Sequence, residues 1–161
     1  MSEKEMYLQG WEREAQTTVK VLKAFPPDKL DFKPHEKSRS ARDLAWTFVG
    51  EEAMVEMIVK GKIDFGGSPQ APATMAEILS AYEATHKGMV EKVKSMSEAD
   101  YNSTIQFPVG PKQMGDFRKA DVLWMMMMDA IHHRGQFSVY LRMAGGKVPS
   151  IYGPSADEPW M

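Results

Sequence analysis

Proline and glycine break this chain at a few places, and the stretches left between them carry apolar residues at helical spacing. Ser2 and Glu5 have capping-box spacing, and Met6, Trp11, Ala15, Val19 and Leu22 follow until Pro26 and Pro27 stop the run. Residues 28–39, with Pro34, read as a connector. Leu44, Phe48, Val55 and Ile58 then mark one face of a second helix that ends near Gly61. Residues 62–73 hold Gly66, Gly67, Pro69 and Pro72, a connection long enough to cross over an end of a bundle, so the helix order is not forced to be simple up-and-down. Thr74 and Glu77 repeat the capping box, and Ile78, Tyr82, Met89 and Val93 carry a third helix to about Met96. Residues 97–115 are irregular, with TIQF of strand-like character ahead of Pro108, Gly110 and Pro111; a short hairpin and an ordered lid both fit. A fourth helix starts near Phe117, carries Val122, Met126, Ala130 and Phe137, and stops at Gly145 and Gly146. The pattern predicts an all-α four-helix bundle forming one domain over residues 1–161.

Composition narrows the function. A formal charge of −2, from 20 basic and 22 acidic residues, supplies no field for a polyanion, so nucleic acid is not an expected partner. With no cysteine, disulfides, thiolate metal sites and cysteine nucleophiles are excluded. The N-terminal segment alternates charged and apolar residues, unlike a signal peptide, which points to a cytoplasmic protein. The most apolar stretch, residues 122–128, falls far short of the roughly 20 apolar residues a membrane span needs, so no membrane association is expected.

Polar residues on apolar faces are the informative ones. Asp129 and His133 are four apart on the fourth helix and project from one face, on the stripe marked by Met126 and Phe137. A desolvated carboxylate requires a hydrogen-bond partner, a cation or a water-filled pocket. Two readings meet that need: a neutral core histidine bonded to Asp129, or a metal ion completed by a ligand from a facing helix. On the second helix, Thr47 and Glu51 fall on or beside the buried face, and Glu51 is either a ligand or a boundary carboxylate that pairs with Arg134 or reaches solvent. His132 points about 100° away from His133 and is expected to bond a neighbouring helix. His86 and His35 carry little weight as ligands. The methionines at 125–128 circle one helical turn, which implies burial on several sides and, with Trp124 and Trp160, a homodimer interface.

The HHRGQ segment followed by FSVYLRMAG, together with FKPHEKSRSARDLAW ahead of the second helix, resembles the DinB/YfiT-like family over nearly the whole chain. The resemblance implies a four-helix bundle with a long crossover, commonly dimeric. It also implies a divalent metal held by three histidines, one from helix two and an H-x3-H pair from helix four. Here His133 matches the second histidine of the pair, Asp129 stands at the first, and Thr47 stands at the helix-two position. With Glu51 one turn beyond Thr47, a ligand set of Asp129, His133 and Glu51 favours a harder ion than three imidazoles do, and zinc, nickel and manganese are the candidates.

Two functions follow and stay open at this point. In the first, a metal-dependent transferase, isomerase or hydrolase uses Glu51 as third ligand or general base, Arg134 and Tyr140 as substrate contacts, and a low-molecular-weight thiol as co-substrate, the last implied by thiol-dependent relatives in the superfamily. In the second, a stress-response or small-molecule-binding module has lost the family metal and keeps a polar pocket.

Overall fold

The structure is a computed structural model that describes residues 1–64, 66, 67 and 69–161. Four long helices dominate: α1 (Glu3–Lys23), α2 (Ala41–Lys60), α3 (Met75–Ser95) and α5 (Lys119–Met143), with a single turn, α4 (Glu98–Tyr101), between the last two. Local sequence accounts for their ends. Ser2 and Thr74 each close a reciprocal capping box with Glu5 and Glu77, Ser40 accepts from the Asp43 amide, and Gly61 adopts the left-handed φ of 74° that terminates α2.

The chain is mostly helical but not all-α. Residues Thr104–Gly110 (β1) and Gln113–Arg118 (β2) form an antiparallel hairpin, which resolves the hairpin-or-lid alternative in favour of the hairpin. Phe117 pairs with Ile105 in that hairpin, and α5 begins close behind it, at Lys119. The start carries no side-chain cap; the Lys119 amide instead donates to the Ser103 carbonyl.

Each long helix packs on two others: α1 and α2 both lie beside α3 and α5. Side-chain pairs give the directions. Lys4 reaches the Met96 carbonyl, so α1 and α3 run antiparallel, whereas Phe48 with Tyr82, Glu52 with His86 and Glu56 with Lys92 show α2 and α3 parallel. Lys119 bonds the Val59 carbonyl and His133 bonds Glu51, so α5 runs antiparallel to α2. A parallel α2–α3 pair obliges residues 61–74 to return along the molecule, and Trp46 Nε1 holds that connection at the Pro69 carbonyl, 2.8 Å away.

Apolar residues fill two continuous clusters, one around Leu22, Phe48 and Phe137, the other around Tyr7, Tyr101 and Leu123. The methionine run is less enclosed than expected: Met127 is buried, Met125 and Met126 are half-buried, and Met128 is 60% exposed. Packing on α1 and α2, with smaller contacts to α4 and the hairpin, leaves the outer face of α5 open. Among the described residues no helix is long and apolar enough to cross a membrane.

Candidate functional site

Because α2 and α5 are antiparallel neighbours, Glu51 comes to face His133, with Asp129 one turn away on α5. His133 Nδ1 bonds Glu51 Oε1 and lies 3.8 Å from Asp129 Oδ2. One ligand atom from each of the three residues falls within 4.8 Å of the others, the one such group of His, Asp and Glu among the described residues. Thr47 lies one turn before Glu51, but its hydroxyl is engaged elsewhere: it donates to the Asp43 carbonyl and accepts from Arg39 Nη1 at 2.7 Å.

The expected enclosed pocket is instead an open groove of about 650 Å³, walled by Trp46, Met54, Met57, Phe107 and Met126, with Arg39, Thr47, Glu51 and Asp129 at its polar end. The Glu51 side chain is 10% exposed and His133 14%, whereas Asp129 is 49% exposed. The buried line of α5 runs through Leu123, Met127, Arg134 and Leu141, and the Asp129–His133 stripe flanks that line; Met126 marked a boundary rather than the core.

Electrostatics set the protons. Arg39 Nη2 lies 3.3 Å from His133 Nε2, and a guanidinium only donates, so Nε2 accepts and the ring proton resides on Nδ1, directed at Glu51. Burial, with Arg39 and His132 adding to it against the charge of Asp129, holds His133 below its ordinary range. Burial, then the charges of Asp129 and Glu52, push the Glu51 carboxyl up to about 8, against a smaller opposing effect of Arg39. Glu51 Oε2 is buried with no hydrogen-bond partner among the described residues.

Other expected site residues serve elsewhere. Arg134 is 1% exposed and turned away from Glu51: it pairs with Glu14 at 2.5 Å and bonds Thr18 and Tyr152, tying α5 to α1 and to the C-terminal segment, so it is not the partner of Glu51. Tyr140 is also outside the groove lining; its hydroxyl donates to the Arg39 carbonyl and its ring edge packs on Phe32, which anchors the connector that carries Arg39. His132 bonds Gln136 on its own helix, not a neighbouring one, because it lies on the outer face of α5. His35 is exposed and accepts from the Lys37 amide.

Two groups escaped sequence reasoning. Arg39 sits in the aperiodic connector, where no helical phase points at a site. The second is a network on the opposite side of α2: His86 Nδ1 meets Glu52 at 3.1 Å, its Nε2 meets Glu12 at 3.1 Å, and Trp11 Nε1 donates to Glu52 at 3.0 Å. Burial opposes protonation of His86, but the two carboxylates outweigh it and raise the pKa. The signal was present: Glu52 lies four residues after Phe48 and three before Val55, on the buried line of α2 itself.

Comparison with known proteins agrees with this architecture. An uncharacterized protein of Bacillus subtilis strain 168, YrdA, is 28% identical over 160 residues, covering 94% of this chain and 89% of that one. The crystal structure of a DinB-like protein from Bacillus cereus ATCC 10987 superposes with a TM-score of 0.77 at 23% identity, covering 92% of this chain and 97% of the other. A second DinB-like structure, YjoA of Bacillus subtilis, gives 0.70 at 17% identity, with 91% and 97% covered. Both structural likenesses speak for the fold alone. The model of the DinB family matches residues 1–160, and with four long helices in the arrangement of DinB-like structures, the chain belongs to the DinB family.

Proposed function

We propose that this protein is a DinB-type four-helix bundle with a long crossover that holds a divalent cation on Glu51, Asp129 and His133 and works as a metal-dependent enzyme on a small molecule bound in the α2–α5 groove. The observation that carries the reading is the convergence of three ligand atoms within 4.8 Å, beside a buried Glu51 oxygen with no hydrogen-bond partner among the described residues. One imidazole nitrogen and two carboxylates suit manganese or zinc better than an ion that demands several nitrogens. Asp129 carries a negative charge and Glu51 adds a second once an ion displaces its proton, which favours a cation.

The chain's own residues divide the work. Glu51, Asp129 and His133 hold the ion, Arg39 and Thr47 fix the edge of the site, and the apolar walls bind the body of the substrate and exclude water. A bound divalent ion supplies Lewis acidity, lowering the pKa of a coordinated water or low-molecular-weight thiol. Elemental analysis of protein purified without a nickel column, followed by calorimetric titration with manganese, zinc and nickel, tests the reading. Binding that disappears in Glu51→Gln supports it, and no binding at millimolar ion overturns it.

A second reading, a binding module that has lost the metal, draws on one observation: Thr47, at the position of a family histidine, is occupied by Arg39. The same titration separates the two. We further propose a homodimer, motivated by the exposure of Met128, Val139 and Met143 on the outer face of α5. An 18.2 kDa particle in light scattering at micromolar concentration overturns it.

A further inference from the structure

The α2 wall of the groove is one helical stripe. Asp43, Trp46, Gly50 and Met57 follow one another at spacings of three, four and seven, so they stack along one face of α2. The stripe offers, in order, a carboxylate, an aromatic ring, a gap and a thioether. Gly50 makes the gap, and a Cβ added there would meet nothing within 4 Å. Trp46 is pinned to the stripe by its Nε1 bond to the Pro69 carbonyl, at 2.8 Å. The hairpin adds a second ring, Phe107, and α5 adds Met126.

Charge along the groove is one-sided. Asp43, Glu51, Asp64 and Asp129 line it, and Arg39 is the one basic residue in the lining among the described residues. Asp43 accepts from the Ser40 hydroxyl and Asp64 from the Gly66 amide, neutral donors that leave both charges in place. Neither forms an ion pair among the described residues, whereas Asp28, Asp31, Asp100, Asp121 and Asp157 each do. The negative excess holds with and without a metal ion. Leaving Glu51 aside, three aspartates face one guanidinium; an ion on Glu51, Asp129 and His133 still leaves Asp43 and Asp64 against Arg39. A second observation marks the groove as a receiving site: the Glu51 side chain that lines it is 10% exposed, and its Oε2 has no hydrogen-bond partner among the described residues. Such a surface repels carboxylates and phosphates. Aromatic rings attract an organic cation through their quadrupole, and thioethers pack adaptably on its apolar body.

We propose that the groove takes a monocation with an apolar body, an alkyl or aryl ammonium: the aspartates and the Trp46 ring hold its head, and the methionines hold its body. Any chemistry done on that ligand rests on the metal reading above, but its binding does not. The test is calorimetric titration of the full chain in EDTA with octyltrimethylammonium, which has no lone pair to coordinate an ion, and with octanoate as its anionic counterpart. The ammonium is expected to bind about tenfold or more tightly than octanoate. Asp43→Asn combined with Asp64→Asn should weaken the ammonium about tenfold and leave octanoate unchanged or tighter. Gly50→Leu puts a side chain into the gap and should also weaken the ammonium, with a thermal midpoint at or above that of wild type. Added zinc should reduce ammonium affinity without abolishing it, because Asp43 and Asp64 remain. Octanoate bound as tightly as the ammonium, no ammonium binding at millimolar concentration, or an affinity unmoved by the paired aspartate variant overturns the proposal. So does ammonium binding that vanishes in zinc, which would place the head on the ion cluster. Titration with zinc alone decides the metal reading separately.

Discussion

Glu51 and Glu52 are adjacent in sequence and face opposite sides of α2, each meeting a histidine from a different helix. On the α3 side, the carboxylates of Glu52 and Glu12 take the two different nitrogens of His86, so the ring lies between them as a strut. On the α5 side, Glu51 and Asp129 both turn toward one nitrogen of His133, and the other nitrogen meets a cation, Arg39. The residue types are the same, two acids and an imidazole. Separation makes His86 a brace between α1 and α2, whereas convergence brings three potential ligand atoms together at His133.

Removing each brace should expose that difference most strongly. His86→Ala strips the partner from a buried Glu52 and is expected to cost about 3 kcal/mol in denaturant unfolding, whereas His133→Ala in metal-free protein should cost about 1 kcal/mol and abolish ion binding. Equal losses would erase the distinction. The His86 contribution also has a pH signature: with its pKa raised, the stabilisation is complete below the ordinary value of 6.5 and is lost as pH climbs through the folded value, so His86→Ala should hurt more at pH 6 than at pH 9.

Glu51 sharpens the comparison next. Its folded pKa of about 8 stands above the ordinary 4.5, so the folded state keeps a proton that the unfolded state has lost, and stability falls as pH rises between those values. Glu51→Gln should remove that decline and leave metal-free protein about 1–3 kcal/mol more stable than wild type at pH 8, read from thermal unfolding in EDTA. The smallest expected effect is a gain: Thr47→His adds an imidazole beside the cluster and should tighten zinc binding about tenfold by calorimetry. Unchanged affinity would mean that position 47 serves Arg39 alone.

Helix ends were legible because caps are local: Ser2 with Glu5, Thr74 with Glu77 and Gly61 all act within one turn. The pairing of Asp129 with His133 was legible because a spacing of four is fixed by helix geometry. Depth was harder to read. A boundary stripe and a buried stripe differ by less than a third of a turn, so spacing alone does not separate Asp129, half exposed on the first, from Arg134, buried on the second. The partner choice of Arg134 depends on Glu14, 120 residues away, and no local pattern encodes it. Arg39 had no periodicity to betray it, and Phe117 belonged to a hairpin whose partner strand decided its fate.

The arrangement of the long helices also bears on how the molecule comes together. Every substantial contact between them joins α1 or α2 to α3 or α5, and none of comparable extent lies within either half. A chain cut in residues 61–74 therefore yields two fragments that each lack an internal helix pair, and neither can bury its apolar faces until it meets the other. Nascent chain emerging from a ribosome faces the same problem: α1 and α2 have no finished partner until α3 appears. Folding is thus bound to late, non-local docking, and complementation of the two fragments in a single bimolecular step is its direct physical counterpart.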